Sequence, residues 1–356
     1  MSITSLHALG WSHFFQAQLT LETFESTLPF RVASVQRNLL ECLGFDTQGQ
    51  LQRLALATYP WRQVAPEQHP TVGDWLLLDK NLEPLQLLER KTLIQRRSAG
   101  RESGLQLIAA NIDTLLVVSS CNEEFNLNRI ERYLALAAEA GIGAVVALTK
   151  KDLCPDTSPY LEALHHNHPG LPVETVNATA AQDVARLAMW CASGQTIALL
   201  GSSGVGKSTL TNSLTGEYGQ ETAPIRAKDS KGRHTTTSRS LHPLPGGGVL
   251  LDTPGMRELQ MVDCEAGVQS VFADVAQLAA QCRFHDCQHV TEPGCAVRGA
   301  LESGRLEQRR LDNYRKLLAE QAHNSGSVAE KRQQERALGR FYKQAKESHR
   351  RFKPQE

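Results

Sequence analysis

The stretch that decides the fold is Gly201–Ser202–Ser203–Gly204–Val205–Gly206–Lys207–Ser208, running on into Thr209. The apolar run before it, Thr196–Ile197–Ala198–Leu199–Leu200, reads as a buried parallel strand. After it, Thr209–Leu210–Thr211–Asn212–Ser213–Leu214 continues as a helix. GxxxxGKS between a strand and a helix is a phosphate cradle. Glycines let successive backbone N–H groups turn inward, and the helix start adds its partial positive charge. Lys207 is then placed to reach the β- and γ-phosphates, and Ser208 to ligate Mg2+. The chain is therefore expected to bind a nucleoside triphosphate.

Downstream, the polar, glycine-containing stretch from Gly216 leads into Gly232–Arg233–His234–Thr235–Thr236–Thr237. A mobile loop bearing threonines suits a switch, in which one hydroxyl, assigned to Thr236, grips Mg2+ and the γ-phosphate. Val249–Leu250–Leu251 then enters Asp252–Thr253–Pro254–Gly255, a strand ending in DxxG. Asp252 is expected to hold Mg2+ through water and the Gly255 N–H to sense the γ-phosphate. Met256 stands where many such enzymes place the glutamine that orients attacking water, and a thioether cannot do that. Intrinsic hydrolysis should be slow. His234 is the candidate for positioning the water, and packing or RNA contact is its alternative role.

Upstream, Ile112–Val118 and Ala144–Leu148 read as buried strands flanking Leu127–Ala137, whose apolar residues fall at helical spacing. This is a βαβ unit, so the sheet is expected to be parallel. Thr149–Lys150–Lys151–Asp152 follows the second strand, where ligands of open α/β sheets bind. It resembles the NKxD motif of GTPases, with Thr149 in place of Asn. In that motif the Asp accepts from guanine's ring and exocyclic nitrogens and so rejects adenine. Val173–Glu174–Thr175–Val176–Asn177–Ala178 resembles the SA loop, whose backbone N–H touches the guanine carbonyl; Asn177 stands where Ser is usual.

The 356 residues carry no net charge, with 41% hydrophobic and 21% charged residues, so they describe a globular chain of two or three domains with no global field for nucleic acid. The first basic residue is Arg31, and no apolar run approaches the ~20 residues that cross a bilayer. Cys42, Cys121, Cys154, Cys191 and Cys264 are scattered, as reduced buried residues are. A cytoplasmic location with no membrane contact is expected. Residues 1–28 hold an aromatic segment around Trp11, either a docked helix or an extension. From Pro29 to Ser98, short β-like runs with turns between them suit a small barrel, the OB-fold among the candidates. There Tyr59, Trp61 and Arg62 are either a stacking platform for single-stranded nucleic acid or core and loop anchors. Gln95–Arg101 reads as a basic, glycine-containing linker.

Cys282, Cys287 and Cys295 cluster around His285 and His289, and three thiolates with one imidazole make a closed, structural Zn2+ site. Leu306–Leu318 reads as an amphipathic helix. From Lys331 to Glu356 nine Lys or Arg stand against three Glu, with Phe341, Tyr342 and Phe352 interspersed.

All five GTPase elements are thus present, but the base-reading and SA-like loops precede the phosphate loop, switch and DxxG. That circularly permuted order, with GRHTTT, VGDW at Val72–Trp75, IAANIDTLLVV at Ile108–Val118 and the cysteine cluster, resembles the RsgA (YjeQ/EngC) family of circularly permuted GTPases. The resemblance implies a multidomain α/β chain with an N-terminal OB-fold barrel at 29–98 and a permuted P-loop GTPase domain at 105–263. A mostly helical zinc-binding domain with a basic tail follows at 264–356. It favours Cys282, Cys287, His289 and Cys295 as the zinc ligands. It also implies slow GTP hydrolysis to GDP, stimulated by the small ribosomal subunit whose late maturation the family assists, with contacts to 16S rRNA from the tail. A monomer is expected. Nucleotide contacts fall on Thr149, Lys150, Lys151, Asp152, Asn177, Ala178 and Gly201 through Thr209; Mg2+ falls to Ser208, Thr236 and Asp252. Thr149 and Asn177 together suggest a divergent paralogue. The rival is a nucleotide-gated RNA-binding module with negligible turnover.

Overall fold

A computed structural model of the protein describes residues 5–97, 105–216, 240–252 and 263–325. Two short helices, His13–Gln16 (α1) and Leu21–Ser26 (α2), open it. Leu28–Val35 (β1), Leu39–Phe45 (β2), Leu51–Ala57 (β3), Trp75–Leu78 (β4) and Pro84–Leu87 (β5) then form an antiparallel sheet in the order β3-β2-β1-β4-β5. Alternation along β1 sends Phe30 and Val32 into a core with Leu40, Cys42, Leu76 and Leu78. Trp61 packs against that core while Tyr59 stays exposed, so the two aromatics expected to act together are differently employed.

The opposite face of this sheet carries Trp75, Leu77 and Ala33 into a larger core shared with Leu9 and Phe15. The N-terminal segment is therefore docked, with the Trp11 ring set edge-on to Trp75 at 4.9 Å. Arg31, 1% exposed, holds this junction. Its guanidinium donates to the carbonyls of Leu9, Gly73 (3.2 Å) and Asn111 (3.1 Å) and to Thr196 Oγ1 (2.9 Å). Burial lowers its pKa to about 10, still far above neutrality.

Gln95–Arg97, expected to begin a linker, lie instead in Leu93–Arg97 (β6), which pairs antiparallel with Leu105–Ala110 (β7). The buried anchors Ile94 and Ile108 hold the ribbon, and its polar half-exposed positions give it a linker's composition.

Thr114–Ser120 (β8), Leu127–Glu139 (α3), Gly143–Thr149 (β9), Ser158–Asn167 (α4), Val173–Thr175 (β10), Ala181–Leu187 (α5), Thr196–Gly201 (β11) and Lys207–Thr215 (α6) follow. Ser240–Pro243 (β12) and Val249–Asp252 (β13) complete the second sheet, in the order β10-β9-β8-β11-β13-β12. Its first five strands are parallel and β12 is antiparallel. The expected βαβ unit is β8-α3-β9. Side chains alternate: Leu115, Val117, Val146 and Leu148 meet Ile130 and Tyr133 of α3 on one face. Leu116, Val118, Ile197 and Leu199 meet Val184, Leu210 and Leu214 on the other. Apolar on both faces, these strands form the middle of a three-layer unit. The two sheets join where Ser34 of β1 pairs with Ser240 of β12.

Glu265–Val271 (α7), Ala273–Ala279 (α8), Ala296–Glu302 (α9) and Gln308–Ser325 (α10) form a helical unit around Val268, Phe272, Val275, Val297 and Leu311. It sits against α3. At Gly267 an added Cβ would stand 2.2 Å from the Ala135 carbonyl oxygen, so only glycine permits this approach. Glu131 of α3, fully buried, bonds Arg309 (3.0 Å), Arg310 (3.0 Å) and Asn313 of α10. Arg310 also grips Asp274 (2.6 Å) and lies over the Phe272 ring.

Burial opposes ionisation of Glu131, but His168, Arg309 and Asn313 prevail and hold its pKa near about 2. A depressed carboxylate stabilises the fold above its unfolded pKa, and the contribution fades as pH falls through the folded one. Glu131→Gln should therefore cost about 3 kcal/mol at pH 7. In urea unfolding, the gap to wild type should close between about pH 4.5 and 2.

Candidate functional site

β11 ends in the phosphate loop. Gly204 (φ 78°) and Gly206 (φ 93°) take left-handed conformations there, which is the physical need for glycine at both positions. α6 begins at Lys207, so its first N–H groups face the loop. Lys207 Nζ donates to the carbonyls of Gly201 (2.9 Å) and Ser202, which holds the ammonium over the loop. Val205 is buried beneath, while Ser203, Gly204 and Ser208 are exposed. An added Cβ at Gly204 would meet nothing within 4 Å, so the face of the loop is open.

β9 ends beside this loop in the turn Thr149–Asp152. Thr149, 1% exposed, places Oγ1 2.5 Å from the Val205 carbonyl and 3.0 Å from that of Ser119. The single hydroxyl proton goes to the shorter contact, so Thr149 ties the turn to the phosphate loop. Lys150 adopts φ 60°, a left-handed turn that lets Lys151–Leu153 fold into one 3-10 turn with Asp152 exposed.

The Asn177–Ala178 loop follows β10. Asn177 Oδ1 accepts from Thr179 N (3.0 Å) and Oγ1 (2.7 Å), so the side chain shapes its own turn. Ser213 of α6 donates to the Ala178 carbonyl (2.6 Å) and fastens this loop to the phosphate-loop helix. Asp252 closes β13 at the same carboxyl edge of the sheet.

Asp183, in the first turn of α5, was not among the sequence candidates. Its carboxylate bonds Lys151 Nζ (2.7 Å), Asn177 N (2.7 Å) and Arg186 Nη2 (2.8 Å). Burial pushes its pKa up, yet Lys151 and the Asn177 N–H outweigh that and hold it below the usual carboxylate range. The visible signal was its position six residues beyond Asn177, at a helix start. Neither feature tells Asp183 from an ordinary capping residue.

The structure thus brings together the Thr149–Asp152 turn, the Asn177 loop, the phosphate loop and Asp252. His234, Thr236, Gly255 and Met256 lie outside the described residues, as does the basic tail from Lys331.

In the helical unit, ligand atoms of Cys282, Cys287, His289 and Cys295 lie within 4.8 Å of one another. Cys282 and Cys295 Sγ stand 3.8 Å apart, and His289 Nδ1 lies 3.5 and 3.4 Å from them. Tetrahedral Zn2+ with ordinary bond lengths predicts edges of about 3.8 Å between sulfurs and about 3.6 Å from sulfur to nitrogen. A disulfide needs about 2.05 Å. The cluster fits a tetrahedral ion. His285 is exposed and outside the group. Glu292 shapes the loop that presents His289 by accepting from the N–H groups of Gln288, Val290 and Thr291.

A parallel sheet whose carboxyl edge gathers a phosphate loop and a guanine-type turn, in permuted order, defines a circularly permuted P-loop GTPase with a Cys3His centre. The sequence model of the RsgA GTPase family matches residues 87–262. The chain is 50% identical over 336 residues to the small ribosomal subunit biogenesis GTPase RsgA 2 of Vibrio parahaemolyticus, covering 94% of this chain and 91% of that protein. It is 47% identical to the small ribosomal subunit biogenesis GTPase RsgA of Mesorhizobium japonicum, covering 91% of this chain and 92% of the relative. The chain belongs to the RsgA GTPase family. Among solved structures, YjeQ from Thermotoga maritima shares the fold with a TM-score of 0.59 at 23% identity, covering 83% of this chain and 98% of that one. The circularly permuted GTPase YloQ does so with a TM-score of 0.59 at 22% identity, covering 85% and 97%.

Thr149→Val keeps the shape but removes the hydroxyl, leaving the buried Val205 carbonyl without its donor. Nucleotide affinity measured calorimetrically should fall about fivefold. Cys295 is both a cluster member and the N-cap of α9, accepting from Arg298 N at 3.4 Å. Cys295→Ser should lose bound zinc by elemental analysis and lower the melting temperature of the helical unit.

Proposed function

We propose that this chain is a GTP hydrolase that assists biogenesis of the small ribosomal subunit, the role that its relatives' names give those proteins. The observation that carries this reading is 50% identity across 94% of the chain to a protein of that name. The site supports it: Asp152 and the Ala178 loop face the same edge as the phosphate loop, as guanine recognition requires. The family match favours turnover over the binding-only module.

Each group's task follows from its place. Lys207 and the N–H groups of residues 201–209 hold the phosphates, while Asp152 accepts from the base. Ser208, Asp252 and Thr236 would hold Mg2+, which would supply neutralising charge on the phosphates when bound. Gly255 senses the γ-phosphate, and His234 positions the attacking water in place of the side chain that Met256 lacks. Cys282, Cys287, His289 and Cys295 hold one structural Zn2+. Residues 29–98 form the OB-fold, 105–263 the GTPase domain and 264–356 the zinc domain, with 1–28 preceding them. The basic tail from Lys331 contacts 16S rRNA, and the protein acts as a cytoplasmic monomer. No helix among the described residues is long and apolar enough to cross a membrane.

The clamp at Glu131 bears on how nucleotide state reaches the subunit. It fixes the helical unit to α3, so the two move as one body against a bound subunit.

GTP and ATP turnover with and without purified small ribosomal subunits tests the reading. GTP-selective hydrolysis, stimulated by subunits and abolished by Lys207→Ala, is the expected result. Tight GTP binding without stimulation would favour the binding module instead.

A further inference from the structure

The nucleotide site contains one buried charged hub that none of the motifs covers. Asp183 takes Lys151 Nζ on both carboxylate oxygens, at 2.7 Å each, and the Asn177 N–H on Oδ2 at 2.7 Å. Arg186 braces it from behind, bonding Oδ1 at 2.8 Å and the Thr175 carbonyl of β10 at 3.0 Å. The side chain of Asp183 is 11% exposed while Lys151 and Arg186 still reach solvent, so the carboxylate is covered by its own charge-assisted partners.

The consequence lies in what the hub holds and what it leaves free. Thr149 anchors one shoulder of the base-reading turn to the phosphate loop, and Lys151 anchors the other to Asp183. Asp152 sits beside the second anchor, and its exposed carboxylate inherits its aim from both. In the neighbouring loop Asp183 consumes the Asn177 N–H; among the described residues nothing accepts from the Ala178 N–H. One carboxylate therefore sets an acceptor and a donor side by side. That pair matches the edge of guanine, whose ring N–H and 2-amino group donate and whose carbonyl accepts.

We propose that Asp183 is the positioning residue for guanine selection, coupling the Thr149–Asp152 turn to the Asn177–Ala178 loop through Lys151 and the Asn177 N–H. The inference rests on the reading of this edge as a guanine-nucleotide pocket. Asp183 touches no nucleotide; it acts through Asp152 and the Ala178 N–H. Its loss weakens recognition of the base without altering the grip on the phosphates.

The test compares equilibrium affinities of the full-length protein for GTP and for inosine triphosphate, which lacks the 2-amino group that Asp152 accepts. Wild type should prefer GTP. Asp183→Asn should weaken GTP binding about tenfold and inosine triphosphate much less, compressing the ratio. In turnover, KM for GTP should rise while kcat at saturation holds. Asp183→Glu, which restores the charge, should recover part of the ratio. Lys151→Met removes the same tether from its other end; it should compress the ratio too, and it serves if Asp183→Asn does not fold. Equal loss of affinity for both nucleotides, or an unchanged ratio in folded variants, would overturn the role of Asp183. A wild-type protein that binds GTP, inosine triphosphate and ATP alike would instead sink the guanine reading itself.

Discussion

The nucleotide site depends on one constraint: the parallel register that seats β11 between β8 and β13. Leu200 pairs with Val117 and Ala198 with Leu251, so the strand that feeds the phosphate loop ends level with its neighbours. Every described loop of the site leaves the sheet from that edge. Because spatial order rather than chain order places the loops, the Thr149–Asp152 turn can come early in the sequence and Asp252 late. Permutation rearranges connections and leaves the strand neighbours as they are.

Much of this was legible because it is local. GxxxxGKS carries its own geometry, and Leu127–Glu139 announces itself by helical spacing. The strands of the parallel sheet are apolar on both faces, as burial on both sides demands. The metal cluster was readable for a different reason, since three cysteines and a histidine within fourteen residues carry the ligand types and spacing of a structural metal site. Choosing His289 over His285 needed either the family pattern or the coordinates.

What escaped the sequence was long-range. Glu131 looks like one more charged position on an amphipathic helix until Arg309 and Arg310 arrive from 178 and 179 residues away. Asp183 looks like a helix-start carboxylate until Lys151 reaches it. Arg31 sits in a strand where any alternating pattern would put a solvent-facing charge. Gln95–Arg97 read as a linker because they are the polar end of the ribbon, whose buried side chains are Ile94 and Leu107–Ala110. In each case an isolated polar residue carries no mark of the partner that burial will give it. Thr149 is the intermediate case: the departure from Asn was plain, and the Val205 carbonyl that its hydroxyl serves was not.

The partners of Arg31 have one more consequence. Its hydrogen bonds end on three carbonyls and a hydroxyl, and among the described residues no carboxylate bonds it directly, Asp113 and Asp74 acting only through their charge. Dissolved ions screen exposed ion pairs, such as Lys91 with Asp113 nearby, but have little purchase on a buried array of peptide dipoles. At the joint between the N-terminal sheet and the foot of β11, the contacts of Arg31 therefore respond less to ionic strength than the Lys91–Asp113 pair beside them. Surface ion pairs can weaken and strengthen with the salt around them while this internal alignment stays fixed.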